Sequence, residues 1–153
     1  MTITQAEVET LFDQMRRGAR AWINGQLEHT AAPDLVQAAD MTIFGPFGGE
    51  AARNGPELEA RQAQILATFH GGSSECELVH AMTSGDLVVL VMIERSTVTF
   101  EGRDRPQPWV LRTTQVFRKD GARWVRLHRH ADPLIKRRSF DETLQIAADA
   151  PTR

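Results

Sequence analysis

The sequence contains a single cysteine, no tyrosine and no long apolar run. Its 153 residues include one cysteine, Cys76. A single cysteine excludes an internal disulfide framework, and without a CxxC pair or a Cys/His spacing there is no zinc signature. No stretch approaches the roughly 20 apolar residues of a membrane-spanning helix, and the first residues lack the basic-then-apolar pattern of an export signal. These absences predict a cytoplasmic protein with no metal or other cofactor and no membrane partner.

Charge is also limited in amount and balanced in sign. Lysine and arginine total 18, aspartate and glutamate total 20, and the formal net charge is -2. This balance lacks the basic surplus with which nucleic-acid-binding domains contact phosphates, so we expect no nucleic-acid partner. With 41% hydrophobic residues, the chain is long enough to form one domain around one core.

The first half of the chain is typical of helices. Thr4 and Glu7 form a capping-box pattern ahead of apolar residues at helical spacing, which predicts a first helix. Proline-containing turns at residues 32–34 and 54–56 predict the starts of two more helices. The predicted helices span residues 5–25, 33–39 and about 57–69, and a short strand spans residues 41–44.

The second half is typical of an antiparallel sheet, because runs rich in β-branched residues alternate with glycine-containing turns. Residues 87–93 are apolar on both faces, which indicates a central strand. Helices first and a long meander last predict an α+β domain in which a curved sheet wraps around the helices. The later strands are apolar on both faces, so something besides the helices must cover one face, and we expect a homodimer.

The most informative stretch is residues 109–132, which reads WVLRTTQVFRKDGARWVRLHRHAD. It predicts two strands joined by the Asp120-Gly121 turn. Strict alternation of side chains places four even-numbered residues of the second strand on one face. They are Trp124, Arg126, His128 and His130.

The length of that turn decides which residues of the first strand join the histidines. A three-residue turn adds Arg112 and Thr114 to their face. A two-residue turn formed by Asp-Gly pairs the histidines with Leu111 and Thr113 instead. We favour the first register.

Three segments, taken in order, resemble the nuclear transport factor 2-like superfamily, and within it the SnoaL-like and ketosteroid-isomerase-like proteins. They are residues 39–48 after two helices, Ser84-Gly85-Asp86 before a long strand, and Arg112-x-Thr114 followed by Trp124-x-x-x-His128-x-His130. The resemblance covers residues 5–132. It implies a cone-shaped, curved antiparallel sheet closed by about three N-terminal helices around an apolar pocket, and commonly a homodimer formed through sheet faces.

The resemblance also implies the domain boundaries. We expect a SnoaL-like domain at residues 1–135 and a C-terminal tail at residues 136–153. Within the tail, Ser139 and Glu142 form a second capping box ahead of apolar residues, which predicts a short helix.

Steroid isomerisation by the known mechanism is not expected. Ketosteroid isomerases use an aspartate base and an oxyanion hole made of a tyrosine and a protonated aspartate. This chain has no tyrosine, and the family's base falls on Gly45, which has no side chain to take a proton. The place of the protonated aspartate falls near Thr113 or Thr114.

The candidate activity is cofactor-independent acid-base chemistry, of the isomerase, cyclase or lyase type, on a small apolar carbonyl or polyketide-like compound. His128 or His130 is the candidate base or acid, since histidine titrates near neutral pH. Arg95 or Arg112 is a candidate to stabilise a developing oxyanion. Asp40 is a candidate pocket acid, with a local cap or turn as the alternative.

These residues predict one mostly apolar cavity with a few convergent polar groups. Its predicted lining is Trp22, Phe44, Arg112, Thr114, His128 and His130. Arg95 could contact a ligand carboxylate, and Asp132 could orient His130. Three ligands from one strand rarely converge on a metal ion, so no metal site is predicted.

Two alternatives stay open at this point. The histidines could satisfy hydrogen bonds at a sheet edge or a dimer interface instead of acting in catalysis. The whole protein could be a ligand-binding or homo-oligomerising module that performs no chemistry, which loss of the family's base favours.

Overall fold

The computed structural model describes residues 2–152, which form helices followed by long strands, as predicted for an α+β domain. The helices are α1 (Gln5–Ile23), α2 (Glu28–Ala31), α3 (Pro56–Leu66) and α4 (Phe140–Ala147). The strands are β1 (Leu35–Phe44), β2 (Ala52–Arg53), β3 (Phe69–Ser84), β4 (Leu87–Phe100), β5 (Gln107–Asp120) and β6 (Arg123–Pro133).

The strands form a six-stranded sheet in the order β2-β1-β6-β5-β4-β3. The four long strands at one side, β3 to β6, form the predicted antiparallel meander. After this meander β6 returns beside β1 and runs parallel to it. The sheet is therefore mixed, with one parallel pair inside a mainly antiparallel arrangement.

One face of the sheet, which we call the inner face, packs against the helices. Helix α1 begins at the predicted capping box, in which Thr4 and Glu7 exchange hydrogen bonds. Its buried residues Leu11 and Met15 belong to the same core cluster as Leu90 of β4 and others. The members on the sheet include Val88, Leu90, Met92, Phe117 and Trp124. The opposite face, which we call the outer face, carries no helix of this core cluster.

The predicted second helix at residues 33–39 is wrong. Those residues form the first half of β1, and the four-residue α2 precedes them. Leu35 and Ala38 are buried there, and Leu35 pairs with Trp124 of β6. Pairing with a strand almost ninety residues away overrides the local helical pattern.

Two glycines that follow the third helix in the sequence belong to β3. Helix α3 ends at Leu66, and β3 begins before Gly71 and Gly72. The register of β3 against β4 shifts between Phe69 and Gly72. A Cβ added at Gly72 would lie 1.9 Å from the carbonyl oxygen of Thr97, so only glycine allows this close approach.

The predicted tail helix is present as α4. Ser139 and Glu142 form its capping box. Its apolar side chains Phe140, Leu144 and Ile146 are all exposed. Among residues 2–152, no helix is long and apolar enough to cross a membrane.

Candidate functional site

A bulge in β6 decides which of its side chains face the helices. Phe117 of β5 pairs with Arg126 of β6. Its neighbour Val116, however, pairs with His128, so Leu127 is one extra residue in β6. An extra residue reverses the alternation of side chains along a strand. Even-numbered side chains of β6 therefore point inward before Leu127 and outward after it.

The prediction that Trp124, Arg126, His128 and His130 share one face is wrong, because the bulge leaves the first two pointing inward and turns the histidines outward. The two histidines do share a face with Arg112 and Thr114, but it is the outer face. Thr114 pairs with His130, and Arg112 pairs with Asp132. The turn has two residues, Gly121 and Ala122. The bulge then places even-numbered residues of the two strands opposite each other, which a three-residue turn would also have done. A shallow outer depression of about 400 Å3 is lined by residues that include Arg112, Thr114, His130 and Asp132. The expectation that these side chains line the cavity beneath the helices is therefore wrong.

Polar contacts link three side chains of this outer group. His130 Nε2 lies 3.2 Å from Asp132 Oδ2, the contact that the sequence allowed. Arg112 lies 3.7 Å from the same oxygen. The three side chains are between 42% and 64% exposed, and ion pairs in such positions contribute little to stability. A catalytic role for them stays a prediction.

His128 has other neighbours on the outer face. Its Nδ1 atom lies 2.7 Å from the hydroxyl oxygen of Thr42. The ring centre of Phe44 lies 5.8 Å from that of His128 and 5.2 Å from that of His130. These contacts arise because β1 runs parallel to β6, which pairs Thr42 with His128 and Phe44 with His130. Phe44 and the histidines thus meet, but outside the main cavity.

The remaining predicted residues are separated from one another. Trp22 lies in the wall of the main cavity. Arg95 projects from the outer face, half exposed, with its guanidinium 3.6 Å from the carboxylate of Glu77. Asp40 is exposed within β1 and lines neither the cavity nor the outer depression.

The main cavity lies between the helices and the inner face of the sheet and has a volume of about 660 Å3. Apolar side chains form much of its wall. They include Trp22, Leu58, Ile65, Phe69, Trp109 and Leu111. The rings of Trp22 and Trp109 both meet Phe69 edge to face, with ring centres 6.1 and 5.8 Å apart. Such walls favour an apolar ligand.

Two guanidinium–carboxylate pairs interrupt the apolar wall. Arg126 donates to both oxygens of Glu28 at 2.6 and 2.7 Å. Arg129 donates to both oxygens of Glu94 at 2.8 and 3.1 Å. All four residues line the cavity. Bidentate pairs of this kind are directional and stronger than neutral hydrogen bonds.

The pair formed by Arg126 and Glu28 is enclosed by other side chains. The side chain of Arg126 is 3% exposed, its guanidinium lies 5.4 Å from the ring centre of Phe117, and it also contacts Met15 Sδ at 3.5 Å. Glu28 reaches it past Gly18 of α1, where an added Cβ would lie 2.5 Å from Glu28 Cγ. This pair therefore joins α2 to β6. In the second pair the arginine is the more exposed partner, since Arg129 is 21% and Glu94 11% exposed.

In each pair, the pKa of one group is shifted by its oppositely charged partner. Burial raises the pKa of the Glu28 carboxyl, but the charge and hydrogen bonds of Arg126 outweigh burial and leave that pKa below its ordinary value. Burial likewise lowers the pKa of Arg129, and the adjacent Glu94 outweighs it, leaving that pKa raised. Each pair joins a guanidinium group to a carboxyl group, so the two pairs together add no net formal charge to the cavity.

The single thiol is not activated. Cys76 pairs with Glu94 across β3 and β4. Burial, with the charge of Glu94 as the second cause, raises the pKa of Cys76 to about 11. A protonated thiol is a poor nucleophile and a poor metal ligand. Within residues 2–152, no group of three or more His, Cys, Asp and Glu side chains is placed to hold a metal ion.

The arrangement matches a known family over most of its length. The SnoaL-like domain matches residues 8–136. The chain belongs to the SnoaL-like domain family. No match was found among curated protein sequences.

Solved structures, two of them described as nuclear transport factor 2-like, share the fold of this SnoaL-like protein. A protein of that family from Streptomyces avermitilis, provisionally described as a dehydratase, has a TM-score of 0.72 at 16% identity over 88% of this chain and 100% of its own. A calcium/calmodulin dependent protein kinase II association domain, provisionally assigned, from Xanthomonas campestris has a TM-score of 0.62 at 18% identity, covering 88% and 91%. A nuclear transport factor 2-like protein from Cytophaga hutchinsonii has a TM-score of 0.62 at 11% identity, covering 86% and 100%. These likenesses support the predicted superfamily and cone-like fold.

Sequence reasoning missed the charged residues of the SnoaL-like cavity. Glu94 carried a usable signal, because it continues the inward alternation of Leu90 and Met92 in an apolar strand. Arg129 carried none, because only the bulge turns it inward. Glu28 also carried none, because its partner lies 98 residues away.

Proposed function

We propose that this SnoaL-like protein binds a small, uncharged, largely apolar carbonyl compound in the main cavity. The observation that carries the proposal is the charge-balanced pair of Arg129 and Glu94 beside the apolar part of the cavity wall. An arginine has more N–H donors than a bidentate carboxylate takes, so Arg129 keeps donors for a ligand oxygen. A ligand carboxylate would meet the negative charge of Glu94 as well, which disfavours acids relative to neutral carbonyl compounds.

The same pair supports acid-base chemistry on the bound compound. A carboxylate beside a guanidinium offers a proton acceptor next to a donor that can stabilise an oxyanion. Glu94 is the proposed base and Arg129 the proposed oxyanion partner for cofactor-independent isomerase, cyclase or lyase chemistry. Dehydration is a lyase reaction, in keeping with the description of the Streptomyces avermitilis protein. Polyketide-like ketones are suitable substrates because their skeletons match apolar walls.

The test compares ketones with carboxylic acids of the same carbon skeleton by thermal shift and calorimetry. Ketones should raise the melting temperature, because a ligand that binds the native state alone stabilises it, and the acids should raise it less. Replacing both partners, Arg129→Met with Glu94→Leu, removes the polar pair without leaving a buried charge unpaired. Ketone binding should weaken in this double variant, and acids that bind more tightly than ketones would refute the proposal.

A second proposal, without catalysis, is self-association through the outer face. Large apolar side chains are exposed there on neighbouring strands, including Val79 and Met82 of β3 and Leu87 of β4. Contiguous exposed apolar surface of this kind is typical of protein interfaces. In this alternative the outer histidines take part in an interface, and a homodimer is the proposed assembly.

A further inference from the structure

Two polar side chains lie buried on the inner face of β5 without partners. Gln115 is 0% exposed, and neither its side-chain oxygen nor its nitrogen has a hydrogen-bond partner among residues 2–152. The hydroxyl of Thr113, 3% exposed, is also without one. A buried polar group without a partner lowers stability, so its retention calls for an explanation such as a bound polar group.

The ion pair formed by Arg129 and Glu94 lies over these two residues. Glu94 of β4 pairs with Leu111, and Arg129 of β6 pairs with Gln115. The inner-face residue of β5 between those two positions is Thr113. The bonds from Arg129 to Glu94 therefore cross β5 above Thr113 and next to Gln115. Glu94 and Arg129 line the cavity, whereas Thr113 and Gln115 do not.

Separation of the ion pair would connect the cavity to the buried groups. Glu94 and Arg129 then become one acceptor and one donor, facing each other across a gap over Thr113. Below them, the amide of Gln115 offers an oxygen that accepts and a nitrogen that donates. The hydroxyl of Thr113 does both. The four side chains around the gap therefore supply both hydrogen-bond donors and hydrogen-bond acceptors.

We propose that Thr113 and Gln115, with the separated Arg129 and Glu94, form a subsite for a primary amide carried by the ligand. This inference rests on the proposed function and names the kind of carbonyl compound. The oxygen of a primary amide can accept from Arg129 while one of its N–H groups donates to Glu94. Its second N–H group can donate to the side-chain oxygen of Gln115. A ketone has no donor and would leave Glu94 and the Gln115 oxygen unpaired.

The test uses two uncharged probes of similar size, cyclohexanecarboxamide and cyclohexyl methyl ketone. Calorimetry measures both dissociation constants for the wild type, Gln115→Met and Gln14→Met. Met keeps the length of glutamine and removes the amide. Gln14 is a matched control, because it is 6% exposed and its side-chain oxygen is also unpartnered, but it lies on α1.

The wild type and Gln14→Met should bind the amide about tenfold more tightly than the ketone, which corresponds to two additional hydrogen bonds. In Gln115→Met this preference should fall to about twofold or less, and Thr113→Val should reduce it by a smaller factor. Gln115→Met should also melt at a higher temperature than the wild type without ligand, because it removes an unpaired amide.

Failure of the subsite and failure of the proposed function give different results. Equal binding of both probes to the wild type, or a preference that Gln115→Met retains, would overturn the amide subsite and leave the carbonyl-binding cavity standing. Binding of neither probe to the wild type would overturn both.

Discussion

At the scale of single residues, two ion pairs of the same chemistry have different surroundings. Arg126 is enclosed by Met15 and Phe117, and its side chain is 3% exposed. Arg129 is 21% exposed and lies at the wall of the cavity. An enclosed charge that loses its partner has no access to water, whereas an accessible one is partly solvated. We therefore expect loss of one partner to cost more stability in the first pair, and we propose the second pair as the one that contacts a ligand.

Loss of the Glu28 charge should destabilise the protein. Glu28→Gln preserves the shape of the side chain but leaves the Arg126 guanidinium buried without a counter-charge. We expect the free energy of unfolding to fall by about 3 kcal/mol, at the lower end of the cost of breaking a buried pair, because Glu28 itself is 22% exposed. Urea unfolding at neutral pH measures this. Glu57→Gln is the control, since Glu57 forms an exposed pair with Arg61 and should change little.

The Glu28 contribution should also depend on pH. Its pKa in the folded protein is below the ordinary value of 4.5, so the folded state releases this proton more readily than the unfolded state. The stabilisation is therefore complete above the ordinary pKa and is lost as pH falls through the folded one. The difference in unfolding free energy between the wild type and Glu28→Gln should stay constant from about pH 7 to pH 5.5 and shrink below about pH 4. A difference that grows in acid would contradict this assignment.

At the scale of elements, prediction succeeded where the signal was local. The capping boxes at Thr4 and Ser139 were readable because each needs only residues three positions apart. The helix predicted at residues 33–39 is wrong, because pairing with β6 gives the residues of β1 a strand conformation. The bulge at Leu127 was not readable for the same reason, since two strands must be compared to detect an extra residue. Local alternation of side chains was thus predictable, but not the bulge that separates Trp124 and Arg126 from His128 and His130, nor the side of the sheet that each pair occupies.

Gly18 shows how one element constrains another. In an isolated helix, Gly→Ala adds about 1 kcal/mol of helix preference. Here the added methyl would lie 2.5 Å from Glu28 Cγ, which Arg126 holds in place. We therefore expect Gly18→Ala to lower the melting temperature.

A double-mutant cycle separates this contact from helix preference. In a Glu28→Ala background the obstructing Cγ is gone, so Gly18→Ala should become neutral or stabilising. If Gly18→Ala stabilises the wild type to the same degree as it does the Glu28→Ala variant, α1 and α2 are not in the contact described here.

At the scale of the whole molecule, the two faces of the sheet carry different kinds of side chain. The inner face carries the cavity with its ion pairs, and the outer face carries the histidines and exposed apolar side chains. The fold class and the superfamily were predictable because motif order along the chain reflects topology. The cavity lining was not, because one extra residue in β6 moved His128 and His130 outward and Arg129 inward. A scaffold shared by many proteins sets the position of a cavity without setting its chemistry.

The outer face leads to a prediction about assembly. Val79 is 53% exposed and lines the outer depression with Val91, Ile93 and Leu134, so a second copy could bury this apolar surface. Sedimentation velocity at micromolar concentration should therefore give the mass of a homodimer. Val79→Glu should shift the protein to monomer, because two isologous contacts would each bury an unpaired charge. Ala60→Glu is a matched control, since it adds the same charge at an exposed position of α3 and should leave the dimer intact. A wild-type monomer, or equal dissociation by both substitutions, would show that the outer face is not the contact surface and that its histidines need another explanation.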